Sequence, residues 1–353
     1  MHLEKINFPN ANLEKFGWNS FFASQQTAGI PGRVASVDRE GFVVWTEAGE
    51  VYCEASGALR NAAALWPAVG DWVMLREDGP VIEKVLERST KLSRKRPERD
   101  MREQVLAANI DVLFIVSGLD RDYNPRRLER YLVMARESGA RPVILLNKAD
   151  LAEEMGLNLD EVVSATRAIA GEAKVLPMSA RIEQGIDAIE AELKPGETAA
   201  MIGSSGVGKS TILNRLLGSE RQQTQSVREG DNRGRHTTTT RELFLMPGGW
   251  LLIDMPGIRE IQLWAAADGL DDSFEDIREL AASCRFRDCS HKGEPGCAVE
   301  NAGLDEARLE NYKKMQRELA HLERKANPVL AKETRAKWNA TEKSVRKNDK
   351  RNR

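Results

Sequence analysis

Eight consecutive residues, Gly203-Ser204-Ser205-Gly206-Val207-Gly208-Lys209-Ser210, limit what this chain can fold into more than any other part of it. The apolar stretch AAMI runs into them, and TILNRLLG continues from them in a helical pattern. Glycines let the backbone curl so that successive N–H groups face one point. A lysine and a hydroxyl then follow at the start of the helix, which completes the phosphate-loop pattern in its strand–loop–helix setting. Lys209 is placed to reach β- and γ-phosphates, and Ser210 to offer a hydroxyl to Mg²⁺.

The surroundings of the loop read as βα repeats from Ile110 onward. DVLFIVSGL, RPVILLNKAD, KVLPMSA and TAAMIGSS are strands, PRRLERYLVMARESG is a helix, and RELFLMP with WLLIDMPG forms an adjacent strand pair. Continuous apolar strands separated by helices imply a doubly wound sheet covered on both faces. Upstream, GRVASVD, GFVVWTEAG, EVYCEAS, DWVMLRE and GPVIEKVL alternate apolar with polar residues, punctuated by Gly41, Gly57, Gly70 and Gly79. A small barrel or sandwich of about five strands fits this pattern, an oligonucleotide-binding type being one option. Cys53 falls in one of these strands, as a small core residue.

The expected organisation is therefore a leader at 1–31, an OB-like β-barrel at 32–90, an α/β domain at 105–265, a zinc-binding helical domain at 270–325 and a basic tail at 326–353. The leader reads as irregular. In the helical domain Leu309, Tyr312, Met315, Leu319 and Leu322 recur at three- and four-residue spacing, a stripe expected to pack on its own domain.

A phosphate loop does not choose a base, but Asn147-Lys148-Ala149-Asp150, directly after RPVILL, does. Asp150 can accept from N1–H and the exocyclic amine of guanine, whereas adenine would set a lone pair against it. Asn147 and Lys148 would support base and loop, and Ser179-Ala180 would complete the base pocket. Asp254-Met255-Pro256-Gly257 supplies a carboxylate for the magnesium shell through water and an N–H, at Gly257, for the γ-phosphate. Between them, Gly234-Arg235-His236-Thr237-Thr238-Thr239-Thr240 reads as a switch, with Thr238 or Thr239 completing Mg²⁺ coordination; spacing does not separate the two. Ile258, following Gly257, cannot orient a water. His236 could orient it or act as a base, or equally be a surface switch residue or stack on RNA.

Cys284, Cys289, His291 and Cys297 lie within 14 residues. Three thiolates and an imidazole make a closed tetrahedral shell, the pattern of one structural Zn²⁺ rather than a catalytic centre. Clustered cysteines of this kind suit a reducing compartment. No signal-peptide pattern opens the chain, and no run approaches the roughly 18 apolar residues of a membrane span, so a cytoplasmic protein without a membrane partner is expected. The formal net charge is −2, which by itself points to no nucleic acid. From Ala331 to Arg353, however, nine Lys or Arg face three Asp or Glu, a local +6 that suits RNA phosphates or, in the plainer reading, solubility.

The base-reading motif precedes the phosphate loop here, the reverse of the common GTPase order, and a doubly wound sheet tolerates such a permutation because its termini lie close together at the surface. On Asn147–Asp150, Gly203 through Thr211, Gly234–Thr239, Asp254–Gly257 and the Cys284/Cys289/His291/Cys297 set, the chain resembles the RsgA (YjeQ) family of circularly permuted GTPases. The resemblance implies Mg²⁺-dependent hydrolysis of GTP to GDP and phosphate, stimulated by the 30S ribosomal subunit. It also implies late maturation of that subunit, 16S rRNA binding by barrel and zinc domains, and His236 as a catalytic residue. Other assembly factors would be met on the particle, and the protein itself would act as a monomer. Met255 stands where the family often has Thr or Ser. The competing reading is a GTP-regulated switch acting on another protein.

Overall fold

The structure, a computed structural model, describes residues 13–61, 66–95, 103–120, 122–218, 241–255, 267–287 and 289–326. The described residues fall into two compact units, one within 1–93 and 105–261, the other within 94–104 and 262–353.

In the first unit, β1 (Ile30–Val37), β2 (Phe42–Thr46), β3 (Gly49–Ala55), β4 (Trp72–Leu75) and β5 (Val81–Val85) pair in the order β1-β2-β3-β5-β4, and β4 returns to β1. The β1–β2 turn is held by Asp38, whose Oδ1 accepts the N–H groups of Glu40 and Gly41 at 2.8 and 2.7 Å. β3 and β5 run parallel, which no tight turn can achieve. The chain makes the crossover through residues 56–71, including a short helix at Gly57–Asn61, and then β4. A closed five-stranded barrel with this order is of the oligonucleotide-binding type, the option that alternation alone left open. Val34, Phe42, Val44, Cys53, Val73 and Ile82 fill it. Burial pushes the Cys53 thiol up to about 11, so it is the inert core residue expected.

The described part of the leader is not irregular. A 3₁₀ turn (Leu13–Phe16) and a helical turn (Ser20–Ala23) bury Phe16 and Phe22, and Trp18 meets Trp72 edge-on with centroids 4.7 Å apart. Burying one such ring is worth roughly 1.5–3 kcal/mol, enough to order a short segment that has no strong propensity of its own. After the barrel, β6 (Lys91–Lys95) and β7 (Glu103–Ala108) form a two-stranded ribbon.

β8 (Val112–Gly118), β9 (Arg141–Asn147), β10 (Lys174–Pro177), β11 (Thr198–Ile202), β12 (Glu242–Leu245) and β13 (Leu251–Asp254) build the second sheet in the order β10-β9-β8-β11-β13-β12. All pairs are parallel except β12–β13. All seven residues of β8 and all five of β11 are buried, as central strands covered on both faces require. Helices α1 (Pro125–Ser138), α2 (Leu159–Ala170), α3 (Ile186–Glu190) and α4 (Lys209–Leu217) connect them. α1 starts where Asn124 caps the N–H groups of Arg126 and Arg127 and Pro125 takes the first turn; it stops at left-handed Gly139. The two sheets are continuous, since β12 pairs with β1 at Glu242 and Ser36.

The second unit carries α5 (Ala267–Ser273), α6 (Glu275–Ala282), α7 (Ala298–Asn301) and α8 (Glu306–Ala326). The apolar stripe of α8 is buried as expected, with Tyr312 on the Phe274 ring at 5.2 Å. Arg308 lies over the Phe274 ring, 4.6 Å from its centroid, and pairs with Asp276 at 2.9 Å.

Candidate nucleotide site and metal centre

The phosphate loop joins the C-terminal end of β11 to the first turn of α4. Two of its glycines are required by space as well as by φ. A Cβ on Gly203 (φ +152°) would lie 2.3 Å from the Val116 carbonyl oxygen, and one on Gly208 (φ +100°) 2.3 Å from the Asn147 amide nitrogen. Lys209 is buried, and its ammonium donates to the carbonyls of Gly203 and Ser204, each at 2.7 Å. Burial lowers its pKa, while Asp254 and Asp122 act against that shift. Asp254 ends β13, and burial raises its pKa against the pull of Lys209. Val207 is fully buried, whereas Ser205, Gly206, Ser210 and Thr211 are exposed along the mouth. A hydroxyl at Ser210 and a carboxylate at Asp254 are hard oxygen donors, few in number. They suit an Mg²⁺ that takes its remaining ligands from phosphates and water.

The base-reading loop is stitched to the phosphate loop side chain by side chain. Asn147, at the end of β9 and buried, donates to the Val207 carbonyl at 2.7 Å, and its oxygen accepts the Ala180 N–H at 3.0 Å. Its role is to clamp the loops together. Lys148, in the left-handed region at φ 65°, donates to the Gly206 carbonyl at 2.7 Å and pairs with Asp120 at 2.5 Å. Asp150 accepts from the Ser179 hydroxyl at 2.5 Å, and Arg181 stands 3.9 Å from its other oxygen. Arg215 of α4 holds the same loop from behind, donating to the Ala180 carbonyl at 3.2 Å and pairing with Glu183 at 2.5 Å. One helix thus carries Lys209 and Ser210 at its start and anchors the base loop at its end.

Asp120, Asp122, Arg127, Tyr131 and Arg215 were not picked out from the sequence. Four of them follow β8, at the carboxyl edge of a parallel strand, where open α/β sheets hold ligands, so the place was legible although the residues were not. Met255 is buried. His236, Thr238, Thr239, Gly257 and Ile258 lie outside the described residues, as do 1–12 and the basic tail from 327.

In the second unit the donor atoms of Cys284, Cys289, His291 and Cys297 all lie within 4.8 Å of one another. His291 Nδ1 is 3.7 Å from Cys284 Sγ and 3.4 Å from Cys297 Sγ. Tetrahedral zinc with ordinary Zn–S and Zn–N bonds places such donors about 3.5 Å apart, so the cluster fits the ion. Left-handed backbone at His291, Gly293 and Gly296 folds the loop around it, and Lys313 of α8 donates to the His291 carbonyl at 2.7 Å. All four donors come from the protein, the donor set of a closed tetrahedral site rather than one with an open position.

Comparison with known proteins agrees with this geometry. A family model described as RsgA GTPase matches residues 85–264, and one described as 50S ribosome-binding GTPase matches 198–334. A "small ribosomal subunit biogenesis GTPase RsgA" of Opitutus terrae is 43% identical over 92% of this chain and 95% of its own. A Listeria innocua protein of the same description, numbered 1, is 40% identical over 95% and 97%. The crystal structure of YjeQ from Thermotoga maritima, 28% identical, superposes with a TM-score of 0.59 over 82% of this chain and 98% of that one. That of YloQ, described as a circularly permuted GTPase and 24% identical, shares the fold with a TM-score of 0.55 over 82% and 94%. The chain belongs to the RsgA GTPase family, whose phosphate-loop domain makes it a nucleotide-hydrolysing enzyme.

Proposed function

We propose that this protein hydrolyses GTP to GDP and phosphate with Mg²⁺ in the maturation of the small ribosomal subunit, and that the 30S particle stimulates the reaction. The observation that carries the nucleotide part is the Asn147 clamp. It puts a guanine-selecting carboxylate and a phosphate-binding lysine in one hydrogen-bonded frame. In this reading Asp150 selects the base, and Lys209 with the loop N–H groups binds the phosphates. Ser210 and Asp254 hold Mg²⁺, which when bound offsets charge on the β- and γ-phosphates. Thr238 or Thr239 and Gly257 complete the switches, and His236 orients or deprotonates the attacking water.

The ribosomal part is supported by the names of the relatives, and rRNA binding by the barrel and the zinc module accompanies it. The same reading divides the chain at 32–90, 105–265 and 270–325 and has it act as a cytoplasmic monomer.

The test is GTP hydrolysis by the purified protein alone, with 30S subunits and with 50S subunits. Stimulation by 30S and its loss in Lys209→Ala is the expected result. Stimulation by 50S instead, or by neither, would discard the small-subunit assignment, and hydrolysis of ATP equal to that of GTP would discard the role of Asp150.

A further inference from the structure

One cluster at the phosphate loop is not used by the mechanism above. Arg127, in the first turn of α1, donates through Nη1 to the Ser204 hydroxyl, the second residue of the phosphate loop. The same nitrogen pairs with Asp122 Oδ1 at 2.9 Å, and Nη2 donates to the Asp122 backbone carbonyl at 2.8 Å. One helical turn on, burial raises the Tyr131 pKa, while Ser204 and Arg127 nearby act against that shift. Asp122 is near enough to Lys209 to act on its charge.

A carboxylate beside a phosphate site is a liability. It repels the ligand's anionic oxygens and competes with them for the lysine that should bind them. Asp122 is only partly buried, at 27% side-chain exposure, and its carboxylate pairs with Arg127 at 2.9 Å. The fork of Arg127 meets the Asp122 side chain and backbone at once, a geometry that an ammonium cannot copy.

We propose that Arg127 is a positioning residue of the phosphate site: it holds the loop at Ser204 and neutralises Asp122, leaving Lys209 free for the nucleotide. The inference rests on the nucleotide-site reading above. It adds a charge balance, Lys209 and Arg127 against Asp254 and Asp122, that the recognised motifs do not contain. GDP and GTP should feel it alike, because the contact is to the loop and not to any single phosphate.

The test measures binding of fluorescent GDP and of a non-hydrolysable GTP analogue, both with Mg²⁺, to the full-length protein. The variants are Arg127→Ala, Arg127→Lys, Asp122→Asn and the double Arg127→Ala/Asp122→Asn, each checked by its melting temperature without nucleotide. Arg127→Ala is expected to weaken both nucleotides by about tenfold or more, with Arg127→Lys in between. The double variant is expected to recover most of the loss, since removing the carboxylate's charge removes the need for the guanidinium. A purely structural arginine would show no such recovery. Wild-type affinity in Arg127→Ala, or a loss that Asp122→Asn does not repair, overturns the proposal whether or not the single variant folds well. Wild-type protein that binds neither nucleotide would overturn the site reading itself, a result distinct from both.

Discussion

A carboxylate discriminates between bases only when its own orientation is fixed, and at Asp150 the Ser179 hydroxyl does this, donating to Oδ1 at 2.5 Å. Asp150→Asn replaces an acceptor pair by one donor and one acceptor. Guanine's amine then faces an N–H, whereas xanthine, with a carbonyl at that position, gains a partner. GTP affinity should fall on the order of a hundredfold and XTP should become the better competitor for bound fluorescent GDP. Retained preference for GTP would mean that another group reads the base. Cysteine chemistry separates two environments in the same way. Cys53 is fully buried with its thiol pushed up to about 11, so little thiolate exists at pH 8. Cys284, Cys289 and Cys297 converge with His291 in the cluster that suits zinc. A thiol reagent applied after chelation should modify three cysteines, and the fourth only after denaturant is added. Four modified thiols in chelated but undenatured protein would contradict the buried barrel core.

Among the elements, a close dependence sits at Gly208, where φ is +100° and a Cβ would strike the Asn147 amide at 2.3 Å. Gly208→Ala therefore imposes a backbone cost of about 1–3 kcal/mol and also displaces the residue that clamps Val207 to Ala180. Melting with and without GDP checks this. The variant should melt lower than wild type and gain less than wild type from GDP, with affinity down more than tenfold; an undiminished GDP shift would show that the clamp is dispensable. The same elements show what was legible. β8 and β11 carry the apolar runs VLFIV and AAMI in central positions, and short motifs at strand ends declare their chemistry within eight residues. Arg127 did not declare itself, because its meaning lies in Ser204, 77 positions away. Nor did the leader turns, whose order comes from rings buried on a distant wall.

For the first unit as a whole, the joint between barrel and α/β sheet depends on Arg33. This β1 side chain is 1% exposed and donates to the carbonyls of Phe16, Gly70 and Asn109 and to the Thr198 hydroxyl. Those acceptors belong to the leader, the turn before β4, the entry to β8 and the first residue of β11. Burial brings its pKa down to about 10 against the pull of Asp111 and Asp71, which still leaves it charged at neutral pH. Gly17 must be a glycine beside it, since a Cβ there would stand 2.7 Å from both Arg33 Nη1 and the Gly196 carbonyl. The guanidinium therefore satisfies four separate segments at once. Arg33→Met keeps the stem but takes this donor from the Phe16 and Asn109 carbonyls and the Thr198 hydroxyl, the Gly70 carbonyl alone keeping the Asn109 amide at 3.0 Å, at a cost of about 3–5 kcal/mol. It should also split a single urea transition into two, barrel tryptophan fluorescence changing before loss of GDP binding. Coincident transitions at the wild-type midpoint would show that the β1–β12 pairing and the Ala108 N–H bond to the Val69 carbonyl join the sheets without it. A split would mean that the barrel is carried as a fixed extension of the nucleotide sheet, rooted five residues before Gly203.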